Sequence, residues 1–166
     1  MFAATVDHGL RAESADEAAY VSKICAGLGV PHATLNWHKK EINGNLQDSA
    51  RRARYDLLAK WARDKQLEPV AIAHTLDDEA DAFVMRLARD AGIDGLAAMK
   101  ESWRHGSVRF VRPALALSRS DLQRELRSRQ ITWIDDPSNE DDRHERARIR
   151  KALSKLDDLG ICSHTL

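Results

Sequence analysis

A chain of 166 residues is long enough for one domain with a sizeable core, and its 43% hydrophobic and 31% charged residues are those of an ordinary water-exposed globular protein. The 26 basic residues balance the 26 acidic ones, so no global field draws the chain to nucleic acid, and any such binding must come from a local patch. No apolar run approaches the roughly 18 residues that cross a bilayer, and the N-terminus lacks the basic flank and apolar centre of a signal peptide, so a cytoplasmic location is the default expectation. Cys25 and Cys162 stand far apart without a CxxC, which lends little support to a disulfide framework or a thiolate metal site.

Met1 leads directly into the apolar run FAATV, which reads as a strand closed by Asp7, His8 and Gly9. Ser14 with Glu17 three residues on has the spacing of a capping box, after which Val21, Ile24, Cys25 and Leu28 recur at helical spacing until Gly29 stops the helix. His32 to Trp37 alternates as a second strand, and Lys39 to Gly44 is a polar connector. From Asn45 a second helix sets Leu46, Ala50, Ala53, Leu57 and Trp61 on one face, with Arg51, Arg52 and Arg54 crowding beside it. Such a cluster is either a solvated face or a place where Arg51 or Arg54 reaches a phosphate. Pro69 to Ala73 is the next strand, and Glu79 to Arg89 the next helix, with Ala80, Phe83, Val84 and Leu87 turned inward.

Gly92 and Gly95 mark a flexible turn before a strand from Val108 to Val111, which Pro113 ends. Ser120 with Gln123 caps a following helix, Ile131 to Ile134 is a short apolar run around Trp133, and Asp135, Asp136, Pro137, Ser138 and Asn139 form an acidic turn. The closing helix carries Arg143, Arg146, Arg148, Arg150 and Lys151. Strands alternating with helices predict an α/β fold with a parallel sheet and flanking helices.

The chemistry concentrates between Ala71 and Leu96. There an apolar strand stops at His74 and two adjacent carboxylates, Asp77 and Asp78, precede a helix. The carboxyl ends of parallel strands are where α/β proteins bind ligands. A helix needs one carboxylate at most as its cap, whereas two can also hold Mg²⁺, orient an amine or accept a proton. Asp7 and His8 close another strand, so two strand ends present ionisable groups.

TVDHGLR at Thr5–Arg11, LQDSARRARYDLL at Leu46–Leu58, AHTLDDEAD at Ala73–Asp81, GIDGL at Gly92–Leu96, RP at Arg112, and WIDDPSN with RARIR between Trp133 and Arg150 together resemble the tRNA(Ile)-lysidine synthetase family, over nearly the whole chain and in the same order. The resemblance implies an adenine-nucleotide α-hydrolase-like fold, that of the PP-loop ATPases. It implies an ATP-dependent carbon–nitrogen ligase that adenylates the wobble cytidine of an isoleucine tRNA and lets free lysine displace AMP. ATP and Mg²⁺ are the implied cofactors, and isoleucine tRNA and lysine the implied partners, with no membrane involved. It carries Asp7, His8 and Gly9 to the nucleotide side, and His74, Asp77, Asp78 and Asp81 to the motif facing lysine and metal. Asp77 and Asp78 are the metal candidates and Asp78 the expected base. Arg146, Arg148 and Arg150 fall on a basic segment that approaches substrate phosphates, Arg148 as a catalytic group, with Arg51, Arg54 and Arg112 as further substrate contacts.

The chain departs from the family pattern in ways that set further expectations. An SGGxDS phosphate loop is absent, and the sequence starts just before the family's second strand, so residues 1–142 are expected to form a partial domain with exposed sheet edges and poor affinity for ATP. Residues 143–166 would be a basic helix and tail leading towards C-terminal domains that are also absent. Glu79 stands where the family has Gln, Asp81 where it has Glu, and Arg89, Asp90 and Ala91 where small residues are usual. The alternatives are another PP-loop tRNA-modifying enzyme such as a thiolase, or a non-catalytic remnant serving as an interaction module.

Overall fold

The computed structural model describes residues 1–38, 45–135, 145–156, 160, 162, 163 and 165. Among the described residues there are five strands and five α-helices, alternating through the third helix and then running strand, strand, helix, helix, which is the expected α/β architecture. Two compact units emerge, one made of Met1–Val70 with Arg104–Phe110 and the other of Ala71–Trp103 with Val111–Leu166.

The first unit opens with β1 (Ala3–Asp7), which runs parallel to β2 (His32–Asn36) in the register Ala3 to His32 through Asp7 to Asn36. Helix α1 (Ser14–Gly27) is the crossover that a parallel pair requires. Its N-terminus differs from expectation. Glu13 already has helical angles (φ −76°, ψ −13°) and takes the N-cap position, so Ser14 falls one residue inside and no side chain caps the end. Ser14 Oγ instead donates to the Arg11 carbonyl, and Glu17 accepts two bonds from Arg11 at 2.9 Å. The other end is as read, with Gly29 at φ +67° donating to Ala26 O at 3.1 Å.

Helix α2 (Leu46–Asp64) starts where Asn45 Oδ1 accepts the Gln47 N–H at 2.9 Å. Its buried stripe is Ala50, Leu58, Ala59 and Ala62, rotated from the expected one, so that Leu46 is exposed and Ala53, Leu57 and Trp61 sit at the stripe's margin. Tyr55 meets Phe110, the most enclosed large side chain, edge-on at 5.6 Å. Burial of an aromatic ring of this kind stabilises a fold by about 2–3 kcal/mol.

Phe110 lies on β5 (Val108–Val111), the strand expected there. Its partner β4 (Ser102–His105) was not foreseen. Only Gly106 and Ser107 join the two strands, and a connection that short makes a hairpin of antiparallel strands. Gly106 takes φ +60°, where a Cβ would be strained. The second sheet has the order β3-β5-β4, and β3 is shorter than expected, covering Val70–Ala71 alone.

In the second unit α3 (Leu76–Leu87) begins three residues earlier than expected. It packs on α5 (Glu145–Leu156) through Ala80, Ile149 and Leu153, with Val84 and Met85 against them. Ala80 and Val84 are four apart, as are Ile149 and Leu153, so each helix offers one stripe. Leu87, expected inward, is 53% exposed because α3 ends there. A 3-10 turn, Ile93–Leu96, occupies the segment read as flexible. Gly95 is needed in it, since a Cβ there would lie 3.0 Å from the Ala91 Cβ.

Helix α4 (Arg119–Ser128) is capped by Ser118 with Asp121, not by Ser120 with Gln123. Ser118 Oγ accepts the Asp121 N–H at 3.1 Å, and Asp121 Oδ2 accepts the Ser118 N–H at 3.1 Å. The run Ile131–Ile134 stays irregular, with Trp133 donating to Asp135 and lying under the Arg127 guanidinium. The connector Lys39–Gly44, the turn residues Asp136, Pro137, Ser138 and Asn139, and Arg143 lie outside the described residues. Both cysteines are free thiols.

Candidate active site

Each unit carries one of the two strand ends singled out by the sequence. In the first, Asp7 ends β1, and its Oδ1 accepts the Gly9 N–H at 2.8 Å, a tight turn that places Gly9 at φ +56°. That bond, with help from Ser14, holds the Asp7 carboxyl below its ordinary value. His8 meets Trp37 edge-on at 5.7 Å. Burial pushes its pKa down and the nearby Arg54 charge pushes the same way, against Asp7, so the ring stays neutral at physiological pH. His8 Nδ1 is buried without a hydrogen-bond partner among the described residues. Arg51 lies over Tyr55 at 5.8 Å.

In the second unit His74 follows β3, and Thr75 in extended conformation is the N-cap of α3. Asp78 is its N3 residue and closes a capping box. One oxygen, Oδ2, accepts both the backbone N–H and the hydroxyl of Thr75 at 2.9 Å. Burial works to raise the Asp78 pKa, but the two Thr75 donors, with help from the Arg119 and His74 side of the site, bring the net shift downward. Asp78 therefore stays ionised, and a firmly ionised carboxylate is a weak proton acceptor. The sequence carried the signal for this in Thr75-x-x-Asp78, the capping-box spacing itself.

Asp77 reaches in another direction. Its Oδ2 accepts the Arg119 N–H at 2.6 Å, while the Leu76 N–H donates to Leu117 O at 3.0 Å, so the starts of α3 and α4 are stitched together. Asp81, one turn further along α3, is 1% exposed and accepts from Arg150 Nε at 2.8 Å; Arg150 also lies 3.8 Å from Asp78 Oδ1. Burial raises the Asp81 pKa, and Arg150 only partly offsets it. That is the behaviour of an ion pair whose attraction does not fully repay its desolvation.

Asp77, Asp81, Arg119 and Arg150 line a cleft of about 230 Å³ together with Leu153, Ser154 and Ser163. Acidic and basic residues thus share one hollow, in which the Asp81 carboxylate is turned to Arg150. Arg119 had no signal in the sequence, since its contact with Asp77 spans 42 positions. Arg112, by contrast, is 9% exposed and turned to His74, Lys100 and Trp103, and so is an internal group. Arg146 and Arg148 are exposed on α5, and Arg146 adds to the positive field on Asp81. Among the described residues no three His, Cys, Asp or Glu side chains gather as a metal site. Asp77 and Asp78 each have one oxygen, Oδ2, engaged by the Arg119 and Thr75 donors.

Residues 1–156 match the family described as the PP-loop domain. The tRNA(Ile)-lysidine synthase of Ruegeria pomeroyi is 52% identical over 98% of the chain, which covers 39% of that protein. That of Wolbachia pipientis wMel is 38% identical over 99% of the chain and 38% of its own length. The chain thus spans about two-fifths of the length of these relatives. Among solved structures the U34-tRNA thiolase NcsA from Methanococcus maripaludis matches at a TM-score of 0.76, covering 95% of this chain and 56% of that one at 17% identity, a likeness of fold.

Proposed function

The chain belongs to the PP-loop domain family, and from that membership we propose that it forms part of an ATP-dependent ligase that joins lysine to the wobble cytidine of an isoleucine tRNA. The observation that carries this reading is the 52% identity to a lysidine synthase across 98% of the chain. In this reading ATP adenylates the ring carbonyl of the cytidine, and the amine of lysine displaces AMP. The work takes place in the cytoplasm, and no helix among the described residues is long and apolar enough to cross a membrane.

The cleft in the second unit supports a division of labour. Asp77, on its wall, takes the lysine amine, and Asp78 behind it fixes the start of α3 and keeps a negative charge nearby. Arg150 balances Asp81, while the exposed Arg146 and Arg148 face substrate phosphates, for which guanidinium groups are suited by their paired donors. Asp7, His8, Gly9 and Arg54 belong to the nucleotide, and Arg51 to the tRNA. Mg²⁺, which neutralises phosphate charge when present, is usually held by phosphates and water with few protein ligands.

The test is incorporation of labelled lysine into isoleucine tRNA by the full-length protein with ATP. We expect incorporation with release of AMP, lost by about 100-fold or more in Asp77→Asn. A wild-type protein that adds no lysine, or adds sulfur instead, would overturn the reading.

A further inference from the structure

Arg112 is a cation held almost wholly inside the second unit, at 9% exposure. Its backbone N–H donates to Glu101 O at 2.8 Å, its guanidinium lies 4.0 Å from the centre of the Trp103 ring, and Nη1 donates to the Lys100 carbonyl. Its Nε donates to His74 Nδ1 at 3.2 Å. A guanidinium has only donors and keeps its proton in proteins. The nitrogen that faces it must therefore present a lone pair, and in a neutral imidazole the single proton then sits on the other nitrogen. A proton on Nδ1 would set N–H against N–H, and an imidazolium would in addition place a second cation beside a buried one.

We infer that Arg112 is a positioning residue that fixes His74 as the neutral Nε2–H tautomer, so that His74 serves lysine ligation as a hydrogen-bond donor and not as a base. The tautomer stands on the geometry alone, whereas the use made of the donor rests on the lysidine-synthase reading. Trp103 and Lys100 set the plane of the guanidinium, and the His74 N–H, bonded to Ile72 O at 3.0 Å, anchors the imidazole from its own backbone. Asp78, on α3, is a carboxylate within reach of the His74 field. A neutral ring adds no charge there, so the downward shift of Asp78 rests on its Thr75 donors and the Arg119 charge. An Nε2–H pointing at an oxygen that gains negative charge stabilises it without any proton being transferred.

Two measurements decide the matter. In the ¹⁵N-labelled chain at neutral pH, long-range ¹H–¹⁵N correlations should show His74 with Nε2 protonated and Nδ1 bare. An Nδ1–H tautomer or an imidazolium would overturn the inference. In Arg112→Met the same ring should become a mixture of tautomers, with the remaining histidine signals unmoved as a check on folding; a single Nε2–H form there would show that Arg112 does not set it. In the full-length enzyme, His74→Gln places an amide N–H near the Nε2 position and should keep lysine ligation within about tenfold, while His74→Ala loses about 100-fold. Equal losses would remove the donor role. A wild-type enzyme without ligation would sink the proposed function and leave the tautomer result standing.

Discussion

The ends of β1 and β3 carry similar residues and are built in opposite ways. After β1, Asp7 is held by Gly9, two positions away, and both remain near solvent. After β3, Asp78 is held locally by Thr75, but His74, Asp77 and Asp81 are held by partners from distant parts of the chain. Arg112 is 38 positions from His74, Arg119 is 42 from Asp77, and Arg150 is 69 from Asp81. A local turn can be changed without disturbing the rest of its unit. A long-range polar network ties several elements together, so its substitution is felt as loss of stability as well as loss of chemistry.

The largest expected effect tests the network. Asp81→Leu takes from Arg150 the nearer of its two carboxylates, in a site 1% exposed at Asp81, and should lower stability by about 3 kcal/mol in urea unfolding. Joint replacement, Asp81→Leu with Arg150→Met, should recover most of that loss; failure to recover would mean that shape, and not charge, locks α5 to α3. Asp78→Asn weakens the two Thr75 bonds and should cost about 1.5 kcal/mol at neutral pH. Because folding lowers the Asp78 pKa, its stabilisation is present above the ordinary carboxylate value of 3.8 and is lost as pH falls through the folded value. The gap between wild type and Asp78→Asn should therefore close in acid, and a gap that persists there would discount the charge.

The first unit should respond more mildly. Gly9→Ala puts a Cβ on a residue at φ +56°, with nothing within 4 Å to clash, so the cost should be the backbone strain alone, about 1 kcal/mol in the same assay. Asp7→Asn keeps an oxygen for the Gly9 N–H and should leave the urea midpoint unchanged. A large loss from Asp7→Asn would erase the contrast between the two strand ends.

What was legible in the sequence follows the same division. The Gly29 stop, the helix start at Asn45 and the strand 108–111 were readable because each depends on residues a few positions apart. Ser14 and Ser120 show the limit of local reading. Ser14-x-x-Glu17 has the spacing of a box, but Glu13 had already entered the helix, and Asp121 chose Ser118 over Ser120. The hairpin strand 102–105 was missed because Ser-Trp-Arg-His alternates too weakly to stand out without its partner. At the candidate site the residue types and the adjacency of Asp77 and Asp78 were visible. The Thr75 partner of Asp78 was within local reach as a capping-box spacing, whereas the Arg119 partner of Asp77 was not, since it lies 42 positions away.

Glu79 occupies the position where the lysidine-synthetase pattern led us to expect glutamine. Both of its oxygens accept the Met99 N–H, at 2.8 and 2.9 Å, and Met99 sits in a stretch with no helix or strand. An amide side chain would offer one such oxygen and no charge. Hydrogen exchange should find the consequence: the Met99 amide, in an irregular loop, should trade its proton for deuterium as slowly as the amides of the helix that holds it, and Glu79→Gln should release it first.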